Sequence, residues 1–280
     1  MRLSVFFFCL FVSITIGLVN AQNELMNHKK YWYYKSRLNN DFIKTGIDSG
    51  ESIPLNERRY YGHATSYDVN SIILKAGDGG TRQGIYLSVL ATEYKLLKDN
   101  NRDLTEVKHE IFCALNAVNR IDYFAEPLRN PSFSPSSNGF FVRDDIPGYF
   151  VKKNYRHFNY YYDDNNLTSS GYPANAPQND FGFTQMDLGL GIGKGIDITE
   201  SDGSDPSGVA RMSQDQVYYL LMGLTLVNKL VDANATDGSN AFGFGSSGTL
   251  LAEQASKIAE RIINYIKSDA LWRIKDPIRP

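Results

Sequence analysis

RQGIYLSVLATEYKLLKDNNRDLTEVKHEIFCALNAVNRIDYF, residues 82–124, decides the fold class. Over 82–98, Tyr86, Val89, Leu90, Tyr94 and Leu97 recur at helical spacing and share one face. Over 104–124, Val107, Ile111, Ala114, Leu115 and Val118 do the same. Only Lys98 to Asp103 separates the two patterns, a connection short enough to make them an antiparallel helical hairpin. Asp103 and Glu106 have the spacing of an N-cap and its reciprocal partner at the start of the second helix.

A second hairpin is predicted further along. Over 214–232, Val217, Leu220, Leu221, Leu224, Val227 and Val231 form a stripe that Tyr218, Met222 and Leu226 widen until little polar surface remains. A helix apolar nearly all round belongs inside, so this one is expected to be the most buried. Over 250–267, Leu251, Ala255, Ile258, Ile262 and Tyr265 oppose Glu253, Lys257, Glu260, Arg261 and Asn264, the pattern of an outer helix covering the inner one. A weaker helix is expected over 24–43. Between the hairpins, 127–212 is poor in helix signal and rich in Gly, Pro, Asn, Asp and aromatic residues. The aromatics argue for a long ordered loop excursion over one end of the helices rather than disorder. The fold class is therefore mainly α, built from antiparallel helical hairpins.

Ahead of the helices, Arg2 precedes an apolar run from Val5 to Val19, followed by Val19-Asn20-Ala21. Charge, apolar run and small-residue site in that order are the layout of a cleavable signal peptide over 1–21, which implies a secreted or periplasmic protein without a membrane anchor after cleavage. Residues 22–280 then form one helical-hairpin domain. Removing one basic and no acidic residue leaves 28 Lys and Arg against 31 Asp and Glu, a net charge of −3 (28 − 31), unsuited to nonspecific nucleic-acid binding. Cys113 is the one cysteine after Ala21, so no internal disulfide staples the domain.

Two acidic constellations are candidates for chemistry. Asn138-Gly139-Phe140-Phe141-Val142-Arg143-Asp144-Asp145 carries an extended apolar segment into Arg-Asp-Asp before Pro147. Neighbouring side chains of an extended segment point opposite ways. Either one of Asp144 and Asp145 faces a cleft while the other caps a turn or pairs with Arg143, or all three form a structural salt bridge and turn. Ser213-Gln214-Asp215-Gln216 opens the helix over 214–232. Ser213 and Gln216 fit a capping box and Asp215 complements the helix dipole, which is compatible with a second role at a cleft.

The aromatic clusters Tyr31 to Tyr34, Tyr60-Tyr61 and Tyr160 to Tyr162 serve either helix packing or stacking on sugar rings. Tyr61 and His63 lie in a loop ahead of the first hairpin. The four histidines are scattered without metal-ligand spacing. The glycines of 189–195 fit neither phosphate-loop nor dinucleotide spacing, so no metal or cofactor is expected.

Three stretches, Gly79 to Ser88, Gly139 to Asp145 and Met212 to Gln216, together resemble exported bacterial helical-toroid proteins akin to six-hairpin glycosidases. The resemblance covers 60–280. It implies a barrel of helical hairpins with an inner ring around a cleft, and places Asp144 or Asp145 and Asp215 near the cleft mouth. Such a barrel has twelve helices and five or six are readable here, so a partial (α/α) toroid is expected, C-terminally incomplete or shortened. The implied activity is inverting glycoside hydrolysis of a polysaccharide or oligosaccharide, in which one carboxylic acid protonates the leaving oxygen and a carboxylate activates water. Tyr61, His63, Arg82 and Arg143 are the expected substrate contacts. A polysaccharide lyase with a Tyr or His base is a variant of the same reading, and a non-catalytic glycan-binding or scaffold protein is the alternative.

N-terminal sequencing of the exported protein is expected to begin at Gln22 or within a residue or two of it; an intact Met1 would overturn the export reading.

Overall fold

The computed structural model describes residues 24–39, 43, 53, 54, 56–59, 72–75, 79–126, 132–142, 212–239 and 248–274, the strand residues by their backbone alone. The expected signal segment 1–21 and most of the excursion 127–212 lie outside the described residues. Two compact units divide the chain, Met1–Phe42 and Ile43–Pro280. The first contributes helix α1 (24–37), shorter than the predicted 24–43. Along it the Trp32 indole N–H donates to His28 Nε2 at 2.9 Å, and the Lys35 ammonium lies 5.3 Å from the Trp32 ring centre. These are one-turn neighbours on a helix surface.

The second unit is mainly α. It opens with an antiparallel ribbon that the helical patterns did not anticipate, β1 (Asn56–Arg59) on β2 (Ile72–Lys75), with Asn56 opposite Lys75 and Arg59 opposite Ile72. Four helices follow: α2 (Gly79–Asp99), α3 (Thr105–Tyr123), α4 (Gln214–Leu230) and α5 (Leu251–Lys267). No helix among the described residues is long and apolar enough to cross a membrane.

Both predicted hairpins form. In the first, the Gln83 amide donates to the Ala114 carbonyl at 2.6 Å and the Tyr86 hydroxyl to Glu110 at 3.0 Å. Partners that run down one helix as they run up the other mark α2 and α3 as antiparallel. In the second, the Asn228 amide reaches the Ala252 carbonyl at 3.3 Å. The chain between α4 and α5 is pinned by a bridge from Thr236 to Leu250 and by the Leu251 N–H on the Ala235 carbonyl at 3.0 Å.

The tightest packing joins the hairpins to each other. A Cβ on Gly84 of α2 would lie 2.1 Å from the Tyr219 carbonyl oxygen of α4, and a Cβ on Gly223 would lie 2.3 Å from the Gly84 carbonyl oxygen. Gly80 meets Gln216 at the start of both helices, while Tyr94 and Lys98 meet Asp232 at their ends. Helices α2 and α4 are therefore parallel and touch backbone to backbone. With Asp122 and Asn119 of α3 on Arg261 of α5, the two partner helices α3 and α5 are parallel too. Two antiparallel hairpins stack in the same sense.

This stacking corrects the predicted burial. Helix α3, not α4, is the most buried, since 111–122 is enclosed on every side. On α4, Tyr218 is 67% exposed and Tyr219 36%. On α2 the inward face turns to Gln83, Tyr86, Leu87, Leu90, Ala91 and Tyr94, leaving Val89 exposed, because the face must also meet α4.

The glycine contact yields a graded expectation. Gly84→Ala and Gly223→Ala are each expected to cost roughly 3 kcal/mol, the upper end for overpacking, because backbone cannot yield. At Gly80 a Cβ meets side-chain atoms at 3.1 to 3.4 Å, so Gly80→Ala is expected to cost about 1 kcal/mol. Denaturant midpoints measure this, and a wild-type midpoint for Gly84→Ala would refute the close-contact account.

Candidate functional site

The three stretches that carry the resemblance meet at one end of the stacked hairpins. Gly80, in the first turn of α2, lies where a Cβ would be 3.3 Å from the Phe141 ring and 3.1 Å from Gln216 Cβ. Phe140, Phe141 and Val142 are fully buried. Their backbone is held on both sides: the Val142 N–H donates to the Ile121 carbonyl at 3.2 Å, and the Met212 N–H to the Phe141 carbonyl at 3.0 Å. The extended apolar segment expected from the sequence is thus tied to the end of α3 and the start of α4.

Ser213 takes the extended conformation of an N-cap, with φ −128° and ψ 166°, but the predicted capping box does not form. The Ser213 hydroxyl donates to the Asp215 carboxylate instead of accepting a backbone N–H. Gln216 is fully buried beneath α2 at Gly80 and so is not at the surface to reach back to the cap. Burial against a neighbouring helix overrides the local capping option. Asp103 behaves differently again: its carboxylate accepts the Thr105 N–H at 3.2 Å and the Thr105 hydroxyl at 2.9 Å, one residue ahead of the N-cap position Leu104. This is an Asx-type turn rather than the Asp103–Glu106 box.

Asp215 is exposed in the first turn of α4, where the helix dipole favours its charge. Tyr218 and Tyr219 follow three and four residues later and so lie on the same side of the helix, their rings edge to face at 5.4 Å. The exposure of Tyr218 corrects its place in the predicted inward stripe, and Tyr219 was not singled out by the sequence. Arg82 is half-buried and its Nε donates to the Pro54 carbonyl at 2.9 Å, tying the approach to β1 onto α2. Asp144, Asp145, Arg143, Tyr61 and His63 lie outside the described residues.

A buried polar clamp supports this end of the fold. One Asp122 oxygen accepts the backbone N–H groups of Asn138 at 3.0 Å and Gly139 at 2.9 Å; the other accepts Arg261 Nε at 2.8 Å. The same guanidinium reaches Asn119 at 2.8 Å. Arg261 was expected on the outer face of α5, yet it turns inward to a charge that would otherwise be buried alone. Burial pushes the Asp122 carboxyl up against the opposing pull of Arg261 and the backbone donors. Gly139 has φ +94° and sits so close to the Arg261 carbonyl that a Cβ would be 2.2 Å from it. Only glycine suits that position.

Glu126 adjoins the clamp. It is 5% exposed and accepts the Asn138 amide at 2.6 Å on one oxygen, while its Oε2 has no hydrogen-bond partner among the described residues. Burial pushes its carboxyl up, and neighbouring Asp122 adds to the shift.

A separate cluster lies at the other end. His109 and Cys113, one turn apart on α3, approach to 3.5 Å between Nε2 and Sγ, and His109 Nδ1 lies 2.6 Å from Asp237. The four-residue spacing of His109 and Cys113 is visible in the sequence. Asp237, more than a hundred residues away, is not.

Comparison with protein-family models, curated proteins and solved structures returns no match.

The raised Glu126 carboxyl sets the sign of a pH effect. Folding favours its protonated form, so its contribution is fully present below the ordinary glutamate value of about 4.3 and is lost as pH rises through the folded-state value. Glu126→Gln keeps the acceptor for Asn138 and removes the charge. It is expected to stabilise the protein by on the order of 1 kcal/mol at neutral pH, with the gain vanishing in acid. Thermal melts across a pH series check this; destabilisation at neutral pH would contradict it.

Proposed function

We propose that this is an exported glycan-processing protein, an inverting glycoside hydrolase that works with Asp215 and one of Asp144 and Asp145. The single observation that carries the reading is the backbone bond between the Met212 N–H and the Phe141 carbonyl. It joins the start of α4, which bears Asp215, to the segment whose next residues are Arg143, Asp144 and Asp145. Covalent reach keeps Asp144 and Asp145, the second and third residues beyond Val142, within roughly 11 Å of it, so a carboxylate opposite Asp215 across one sugar is attainable there. Exposed Tyr218 and Tyr219 beside Asp215 supply apolar ring faces next to a hydrogen-bond acceptor, the combination a sugar recognises through its C–H face and hydroxyls. The parallel stacking of hairpins is the arrangement a partial toroid requires. Arg82 and Arg143, with Tyr61 and His63, complete the proposed contact set.

A second reading, a non-catalytic glycan-binding protein, is favoured by one specific observation. The Ser213 hydroxyl already donates to the Asp215 carboxylate, which gives that group a local structural role.

Asp215→Asn separates the two. If Asp215 is catalytic, turnover is abolished while stability is retained or improved. If it serves only the helix dipole, the substitution costs about 0.3–1 kcal/mol and leaves binding and any hydrolysis unchanged. Product analysis on bacterial and plant polysaccharides, paired with melting curves, is the measurement. Full activity in the variant removes Asp215 from the site. Wild-type binding without turnover transfers the conclusion to the second reading.

A further inference from the structure

The cluster on α3 is independent of the glycan reading and has its own chemistry. His109 Nδ1 faces Asp237 Oδ2 at 2.6 Å, and the other Asp237 oxygen accepts the Ser239 hydroxyl at 2.6 Å. The Asp237 side chain is 7% exposed and that of His109 is 61% exposed. Burial works against the Asp237 charge, but the bonds from Ser239 and His109 outweigh it and hold the carboxyl below its ordinary value. A carboxylate at Nδ1 fixes the proton on that nitrogen, leaving Nε2 as the acceptor. What Nε2 faces, at 3.5 Å, is the Cys113 sulfur. Acceptor, nucleophile and orienting carboxylate stand in the order by which a thiol is activated.

Cys113 carries a thiol rather than a disulfide and is 3% exposed. That burial excludes a polymer or peptide from the sulfur and admits only a small electrophile, whereas the exposed imidazole connects the site to solvent protons. The imidazole lies between the Asp237 carboxylate and the Cys113 sulfur, and no group of three such side chains among the described residues is placed to hold a metal ion. The arrangement therefore points to thiolate chemistry on a small molecule.

We propose that Cys113 is a reactive thiolate that reduces small hydroperoxides, with His109 as proton acceptor and donor and Asp237 as the positioning residue. The thiol proton passes to His109 Nε2. The thiolate attacks the terminal hydroxyl oxygen of the hydroperoxide, the S–O bond forms and the O–O bond breaks. The electron pair leaves with the departing oxygen, which takes the proton from the imidazolium. Cys113 is oxidised to a sulfenic acid, and the hydroperoxide is reduced to the alcohol, or to water when the probe is hydrogen peroxide. Two equivalents of a small external thiol complete the cycle: the first forms a mixed disulfide with Cys113 and releases water, and the second regenerates the Cys113 thiol and leaves as the disulfide of the external thiol.

The test treats the full chain with hydrogen peroxide, traps sulfenic acid with dimedone and locates the adduct by peptide mapping, which separates Cys113 from Cys9. Wild type is expected to form the adduct at Cys113 and to show the ultraviolet band of a thiolate; Cys113→Ser is expected to lose both. His109→Gln, at an exposed position, is expected to slow trapping by at least about tenfold and to abolish the thiolate band. Asp237→Asn is expected to weaken the band and slow trapping to a lesser degree, which a purely structural role in the turn would not do. The proposal is overturned if wild type reacts no faster than the same chain unfolded in urea, if His109→Gln reacts as wild type does, or if the band is absent. Should His109→Gln fail to fold, the Asp237→Asn band and the urea comparison decide the matter.

Discussion

The contact between Gly84 and Gly223 is the constraint on which the arrangement of helices depends. At these two positions the backbones of α2 and α4 come closer than any side chain permits. Gly223 offers a Cα–H toward the Gly84 carbonyl where another residue would project a Cβ, and such contacts recur at close helix crossings. The Ser88 hydroxyl donates to the same carbonyl at 2.8 Å. Once α2 and α4 are parallel and touching, their hairpin partners α3 and α5 run parallel as well. The two hairpins then bury α3 on every side and leave α5 with a charged outer surface.

The end of the stack where α2 and α4 begin is held by charge as well as by close packing. Asp122 and Arg261 would each be costly to bury alone, and removing one partner of such a pair typically costs about 3–5 kcal/mol. Together they close α3 onto α5, and the second Asp122 oxygen captures the backbone at Asn138 and Gly139. The clamp is therefore what directs Phe140 to Val142 into the core and brings that segment beside the start of α4. Glu126 bears the cost of this proximity, with one buried oxygen that has no hydrogen-bond partner among the described residues.

Much of the helical layer was legible in advance. Residues 82–98 and 104–124 pair as their spacing and short connection require, and 250–267 presents Leu251, Ala255, Ile258 and Ile262 inward as its pattern demands. The errors have physical causes. Periodicity finds an apolar stripe but does not say how many neighbours cover it, so α4 read as the innermost helix when part of its stripe, at Tyr218, faces solvent. Ser213 and Gln216 satisfied a local capping rule that packing against Gly80 overrode. Of the proposed site, Asp215 was found by its place at a helix start, whereas Tyr218 was counted as core and Tyr219 was not singled out.

By itself the sequence determined the helix class, the two hairpins and the acidic start of α4, because these follow from residue spacing along one chain. The parallel α2–α4 contact was decided only by tertiary structure, since glycine spacing does not name the helix across which the backbones touch. The same holds for the Asp122–Arg261 clamp and for Asp237 behind His109 and Cys113. Each joins residues more than a hundred positions apart, and a partner at that distance is set by how helices stack, not by any local pattern.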